Sequence, residues 1–139
     1  LEVNVPKSGD IKIISIIHGK DDERYKLNYK IKHKHPNTYS NSVFKVVLED
    51  QSQFDFEGLI NIENGAENSN AYLKADVLML SDEARAHVVP SLEIKENDIK
   101  ASHGATITKI NEDQIFYMMS RGLTRTKAKR LITEGFLKT

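Results

Sequence analysis

Short runs of alternating apolar and polar residues dominate the chain up to about residue 110. In Tyr25–Ile31 the two kinds of side chain alternate without a break. A period of two is typical of a β-strand with one buried face. The other runs that predict strands are Ile11–Ile13, Ile16–Ile17, Val43–Leu48, Phe54–Phe56, Leu59–Ile62, Val77–Leu80, His87–Val89, Leu92–Ile94 and Thr106–Thr108.

Polar turn residues separate these runs, and no amphipathic helices lie between them as they would in a doubly wound sheet. The first part of the chain is therefore predicted to be all-β. Small residues such as Gly58, Gly65, Ala75 and Ala105 suit tight corners between stacked coils. Periodicity alone leaves two architectures open, a parallel β-helix and an antiparallel sandwich.

The period changes to a helical one in the last part of the chain. Asn111 can cap a first helix that ends at Gly122, and Thr124 can cap a second that we expect to end at Gly135. The first helix is predicted to have one apolar face, formed by Ile115, Phe116, Met118 and Met119. The second is predicted to have an inner face formed by Ala128, Leu131 and Ile132. The pattern thus divides the chain into a β body, residues 1–110, and a helical hairpin, residues 111–139.

The charges balance, with 20 Lys and Arg against 20 Asp and Glu. A neutral chain creates no long-range field for polyanions, so general binding to nucleic acid or to acidic membranes is not expected. A local basic cluster on the helical hairpin is nevertheless predicted, and it keeps a nucleic-acid-binding module as the alternative function. Its members are Arg121, Arg125, Lys127, Lys129 and Arg130.

Several classes of chemistry are excluded by what the chain contains. There is no Cys, so disulfides, cysteine zinc sites and thiol nucleophiles cannot come from this chain. No phosphate-binding loop or Ser-His-Asp order is present, and Asp82, Glu83, Glu96 and Asp98 suit turns better than the paired carboxylates of a carbohydrate-active enzyme. We therefore predict a non-enzymatic protein.

No apolar run approaches the roughly 20 residues that a membrane span requires. A soluble, cytoplasmic protein is expected on that ground. The chain begins with Leu1 rather than Met, as a piece of a longer protein would.

Two groups of histidines are candidates for chemistry. His33 and His35 would lie on the same side of a strand and could begin a metal site, although no third ligand can be located. His103 lies in a run of small residues, Ala101–Thr106, that would let another backbone or subunit approach closely. A histidine hydrogen-bonded inside a corner is the alternative for His103.

Three linked motifs resemble the C-terminal part of the SufB/SufD family of iron–sulfur cluster assembly proteins. They are Leu78–Ala86 with Pro90–Ile94, then Ser102–Thr106, then Asp113–Tyr117 with Ser120–Gly122, in the family's order and at its separations. Upstream, Ser40–Asp50 and Phe56–Ile62 also resemble family strands. The resemblance covers residues 33–136, while residues 1–32 are less distinctive and form a candidate cap for the body.

This resemblance implies a right-handed parallel β-helix followed by a small helical domain. It also implies a non-catalytic scaffold that pairs with a SufB-type paralogue or with itself and docks SufC, an ABC-type ATPase, through the C-terminal helices. The residues that would form the dock are Phe116, Tyr117, Met118, Met119, Arg121 and Gly122.

The chain resembles SufD more than SufB, because Gly104 rather than Glu follows His103 and the upstream Cys is absent. The functional histidine of the SufD branch carries over to His103. Its imidazole could then be offered to iron or to a transient iron–sulfur cluster at a subunit interface. No metal or cofactor is expected to bind stably to the chain alone.

Overall fold

The structure is a computed structural model that describes residues 1–138 of the chain. Thr139, the last residue of the predicted helical segment, lies outside this range. Eight strands precede two helices: β1 Glu2–Val5, β2 Asp10–Gly19, β3 Arg24–His33, β4 Tyr39–Leu48, β5 Gln53–Ile62, β6 Ser69–Met79, β7 Arg85–Ile94, β8 Ile99–Lys109, α1 Glu112–Ser120 and α2 Arg125–Leu137.

The strands stack into a parallel β-helix. Odd-numbered strands form one sheet in the order β1-β3-β5-β7, and even-numbered strands form the other in the order β2-β4-β6-β8. Glu2 pairs with Lys30 and Tyr39 with Asn70, so each coil takes about 30 residues and contributes one strand to each sheet. Because every pairing is parallel, the antiparallel sandwich is wrong and the predicted β-helix is confirmed.

The core lies between the two sheets and is built from side chains stacked coil upon coil. An aromatic group fills its centre, with ring centroids 4.9 Å apart for Tyr29 and Phe44, 4.9 Å for Phe44 and Phe56, and 5.9 Å for Phe54 and Phe56. Such aromatic contacts stabilise the fold by more than the burial of their surface area alone would. Gly58 faces this group and has no side chain to displace it.

The strands are longer and fewer than the apolar runs predict. Phe54–Phe56 and Leu59–Ile62 are parts of β5, and the runs on either side of Pro90 are parts of β7. Pro90 is tolerated because β7 is an edge strand. Residues 1–32, the candidate cap, contain β1, β2 and most of β3. These three strands belong to the two sheets.

Both helices begin where the sequence predicts. Asn111 Oδ1 accepts hydrogen bonds from the N–H groups of Asp113 and Gln114, and Thr124 Oγ1 accepts one from Lys127. Gly122, with a φ of +95°, follows the end of α1. The predicted end of the second helix at Gly135 is wrong, since α2 continues to Leu137.

α2 continues because its last turn packs on the β-helix. Ile132, Phe136 and Leu137 pack against Val47, Leu78 and Leu80. Lys45 Nζ donates hydrogen bonds to the carbonyl oxygens of Phe136 and Lys138, at 2.7 and 3.0 Å. These contacts outweigh the weak helix propensity of one glycine, and they fix α2 to the outer face of the β2-β4-β6-β8 sheet.

Candidate functional site

α1 presents large apolar side chains to solvent. Phe116 is 74% exposed, Tyr117 57% and Met119 44%, whereas Ile115 is buried. Of the four residues in the predicted apolar face of this helix, Ile115 is buried, Met118 is half-buried, and Phe116 and Met119 are exposed. An exposed aromatic pair on a helix is a common feature of a protein-binding surface.

The position of α1 is fixed by α2. The guanidinium of Arg125 donates two hydrogen bonds to the Glu112 carboxylate, at 2.9 and 2.8 Å. Hydrogen bonding to Arg125 lowers the pKa of Glu112, so the carboxylate stays charged at neutral pH. Since α2 is itself fixed to the sheet, α1 has a fixed position, and Phe116 and Tyr117 are exposed on its surface.

Arg121 and Gly122 complete the predicted dock at the C-terminal end of α1. The Arg121 side chain donates to the Tyr117 hydroxyl, at 3.2 Å from Nε and 3.1 Å from Nη2, and lies over the Tyr117 ring. This contact restrains both side chains while leaving them exposed. Phe116, Tyr117, Met119 and Arg121 are therefore all exposed on α1 and at its C-terminal end.

Much of the predicted basic cluster already has partners within the protein. Arg125 pairs with Glu112, Arg130 lies 3.4 Å from Glu134, and Lys129 Nζ donates to the Leu80 carbonyl at 3.4 Å. The neighbouring carboxylates offset the positive potential that a phosphate backbone requires. This arrangement weakens the basis for the nucleic-acid alternative.

His103 lies in the middle of β8 and is exposed. It pairs in register with Leu73, whose side chain is fully buried in the core. His103 is therefore on the core-facing side of its sheet, and it is exposed because β8 is the edge strand. No hydrogen bond or ion pair joins it to the α1 residues within the described part of the chain.

Three apolar side chains share this exposed end of the β-helix with His103. They are Ile107, Leu92 and Ile94, and all three are exposed. Their partners in the strand register, Val77, Ile60 and Ile62, are buried. We call His103, Ile107, Leu92 and Ile94 the terminal face. Its apolar members could not be predicted from the sequence, since alternation shows that they face the core side but not which coil is the last.

The terminal face is bordered by unpaired backbone groups. Ile110 N donates to the Met79 carbonyl, and by strand alternation His103 and Ile107 direct their N–H and C=O groups to the free edge of β8. On β7, Arg85 N donates to Ser52 and Lys95 N to Ile62, so Pro90 is among the residues that face the free edge. That edge therefore lacks one donor at its centre.

The expectation that His33 and His35 share one side of a strand is wrong. His33 ends β3 and is fully buried, while His35 lies in the following turn and is exposed. Both ring nitrogens of His33 are in hydrogen bonds, to Thr38 Oγ1 at 2.8 Å and Ser40 Oγ at 2.7 Å. Across residues 1–138, no group of three or more His, Asp or Glu side chains could hold a metal ion.

The chain matches a known protein family over most of its length. Residues 5–136 match the family model described as the SufBD core domain of SUF system iron–sulfur cluster assembly. The chain belongs to the SufBD family. This family assignment confirms the resemblance carried by the three sequence motifs.

The curated relatives are several times longer than the chain. A SufBD family protein of Mycobacterium tuberculosis is 33% identical over 126 residues, which are 91% of this chain and 15% of the relative. The iron–sulfur cluster assembly protein SufD of Bacillus subtilis is 41% identical over 91 residues, 66% of this chain and 21% of the relative. A Synechocystis family member is 34% identical over 102 residues, 73% of this chain and 22% of that protein.

Neither of the two described helices is long and apolar enough to cross a membrane.

Proposed function

We propose that the chain is a non-catalytic, SufD-like scaffold in iron–sulfur cluster assembly, which docks a SufC-type ATPase through α1. The observation that carries this proposal is the exposure of Phe116 and Tyr117 on α1, which is joined to α2, the helix that packs on the β-helix. Aromatic anchors of this kind often supply most of the binding energy of an interface. ATP hydrolysis belongs to the partner in this account.

Replacing the two aromatic residues tests the dock. Phe116→Ala together with Tyr117→Ala should weaken binding of a SufC-type ATPase at least about tenfold, because truncation of a central aromatic anchor typically costs more than about 1 kcal/mol. The measurement is a titration of the ATPase against the chain by calorimetry or surface plasmon resonance.

The matched control is Leu131→Ala, which truncates an exposed apolar side chain on α2. It should leave the affinity unchanged. Equal affinities for the double variant and the wild type would show that the ATPase binds elsewhere or not at all. Binding to DNA that weakens steeply with salt would favour the nucleic-acid alternative instead.

The terminal face is the proposed junction with a second subunit, either a SufB-type paralogue or another copy. Exposed apolar side chains and free strand edges occur together there, and both favour addition of further strands. His103 then lies at the junction. Its neutral imidazole can bind iron or a nascent cluster as cargo while the partner provides thiolate or carboxylate ligands.

His103→Ala should reduce the iron or cluster content of the assembled complex without destabilising the chain, because the side chain is exposed and lies outside the packed core. Metal analysis and visible absorption of the purified complex measure this. His35→Ala, which removes another exposed imidazole, is the control and should have no effect. Unchanged loading in His103→Ala would remove this residue from the site.

A further inference from the structure

A basic hollow lies on the outer face of the β1-β3-β5-β7 sheet, where β3, β5 and β7 begin. It has a volume of about 440 Å³. The outward-facing side chains that line it are Arg24 and Lys26 on β3, Gln53 and Asp55 on β5, and Arg85 and His87 on β7. α2 packs on the other sheet, so this hollow is separate from the dock on α1.

The strand register arranges these six residues in two rows. Arg24, Gln53 and Arg85 form one row, and Lys26, Asp55 and His87 form the next. Cationic or basic side chains thus occupy all four corners, while the β5 residues lie in the middle. The corner positions are about 10 Å apart across the strands and roughly 7 Å apart along them, distances that long side chains can close around a small ligand.

The charges in the hollow are not balanced by the protein. Arg24, Lys26 and Arg85 form no ion pair with any residue in the range 1–138. Asp55 is the one carboxylate that lines the hollow among these residues, and it is bonded to His87 at 3.1 Å. The net charge of the lining is therefore positive by two, or by three when His87 is protonated.

One of the cations is held in place by the backbone. Arg85 Nη1 donates to the carbonyl oxygens of Asp82 and Ala84, at 2.8 and 2.9 Å. These bonds restrain the guanidinium at the rim of the hollow and leave its other N–H groups to meet a ligand. Planar guanidinium groups suit phosphate oxygens because they donate two parallel hydrogen bonds.

We propose that this hollow binds a small oxyanion of the diphosphate class. A single phosphoryl group could meet one row of side chains, whereas two linked phosphoryl groups can meet both rows. The charge of about −3 on a diphosphate near neutral pH also matches the excess positive charge. Inorganic diphosphate and nucleoside diphosphates both carry this group, and either is a ligand of the proposed class. The site is additional to the proposed docking function.

Calorimetric titration of the chain with inorganic pyrophosphate tests the proposal. The titration is done in about 0.1 M salt, which screens general attraction beyond about 10 Å. Saturable binding of one pyrophosphate is expected. Arg24→Ala with Arg85→Ala should weaken binding at least about tenfold, because both ends of one row lose their donors. Titration with ADP then shows whether an attached nucleoside adds to or opposes the binding.

The control is Lys12→Ala with Lys100→Ala, which removes two exposed cations from the other sheet. It should bind pyrophosphate as the wild type does. The proposal would be overturned if both double variants weakened binding equally or if no saturable binding occurred. Equal affinity for orthophosphate, or tighter binding of an aspartate-rich peptide, would also overturn it. In wild-type protein, pyrophosphate should shift the amide resonances of residues 24–26, 53–55 and 85–87, and shifts confined to other residues would contradict the site.

Discussion

Acidification from pH 7 to about pH 4 should lower the free energy of unfolding by about 3 kcal/mol through a single side chain, His33. Burial lowers the pKa of His33 from 6.5 to about 4. The imidazole of His33 therefore binds a proton near pH 6.5 in the unfolded chain, whereas in the folded chain it stays neutral at that pH. The contribution of His33 is fully present above about pH 6.5 and is lost as the pH falls toward 4.

The hydrogen bonds around His33 explain why it stays neutral. His33 Nδ1 lies 2.8 Å from Thr38 Oγ1, whose hydroxyl is also within hydrogen-bond distance of the His35 carbonyl and of Ser69 Oγ. The other ring nitrogen, Nε2, is hydrogen-bonded to the Ser40 hydroxyl at 2.7 Å. The two side-chain partners of the ring are hydroxyl groups, so a charged imidazole would have no carboxylate partner among them.

Denaturant unfolding at several pH values measures this effect. His33→Gln removes the titrating group, so the difference in stability between wild type and variant should shrink as the pH falls from 6.5 to 4. Parallel stability curves would contradict the assignment. If the variant does not fold, the imidazole pKa measured by NMR in the wild type decides, since a value above 6 would show that burial does not keep His33 neutral.

Gly58→Ala should destabilise the protein by about 1–3 kcal/mol. A Cβ at this position would lie 2.6 Å from Phe56 Cε1 and 2.8 Å from Leu73 Cδ2. Phe56 cannot move away easily because Phe44 and Phe54 pack against it. The clash therefore outweighs the gain that alanine normally brings to a strand in place of glycine.

Gly104→Ala is the matched control for this substitution. Gly104 also lies within a strand, but a Cβ there meets no atom within 4 Å and the backbone has no positive φ. The free energy of unfolding of the Gly104→Ala variant, measured in urea, should equal that of the wild type or exceed it slightly. Similar losses at positions 58 and 104 would mean that the close approach of Phe56 to Gly58 does not decide the outcome.

Alternation was enough to predict most of the strands and the β class. It was clearest in β3, where large apolar residues alternate with charged ones over nearly the whole strand. It failed at the start of β6 and in the first part of β8, where core-facing positions include Ala71, Ala101 and Ala105. Small side chains give little periodic signal, and their role is visible only when the neighbouring coil is in place.

The candidate site was predicted less completely than the fold. The motifs marked His103 and the α1 residues, but helical spacing placed Leu131 on the inner face of α2, whereas it is 44% exposed. Spacing defines which residues share a face, and tertiary contacts decide which face is covered. For the same reason sequence reasoning could not show that His33 is buried or that Arg24 and Arg85 flank one hollow.

Hydrogen exchange of the chain with and without a SufC-type ATPase shows whether α1 is the dock. Amides in residues 112–122 should exchange more slowly in the complex, with little change in β1–β5. Slowing confined to the outer faces of the two sheets, with exchange in α1 unchanged, would contradict it.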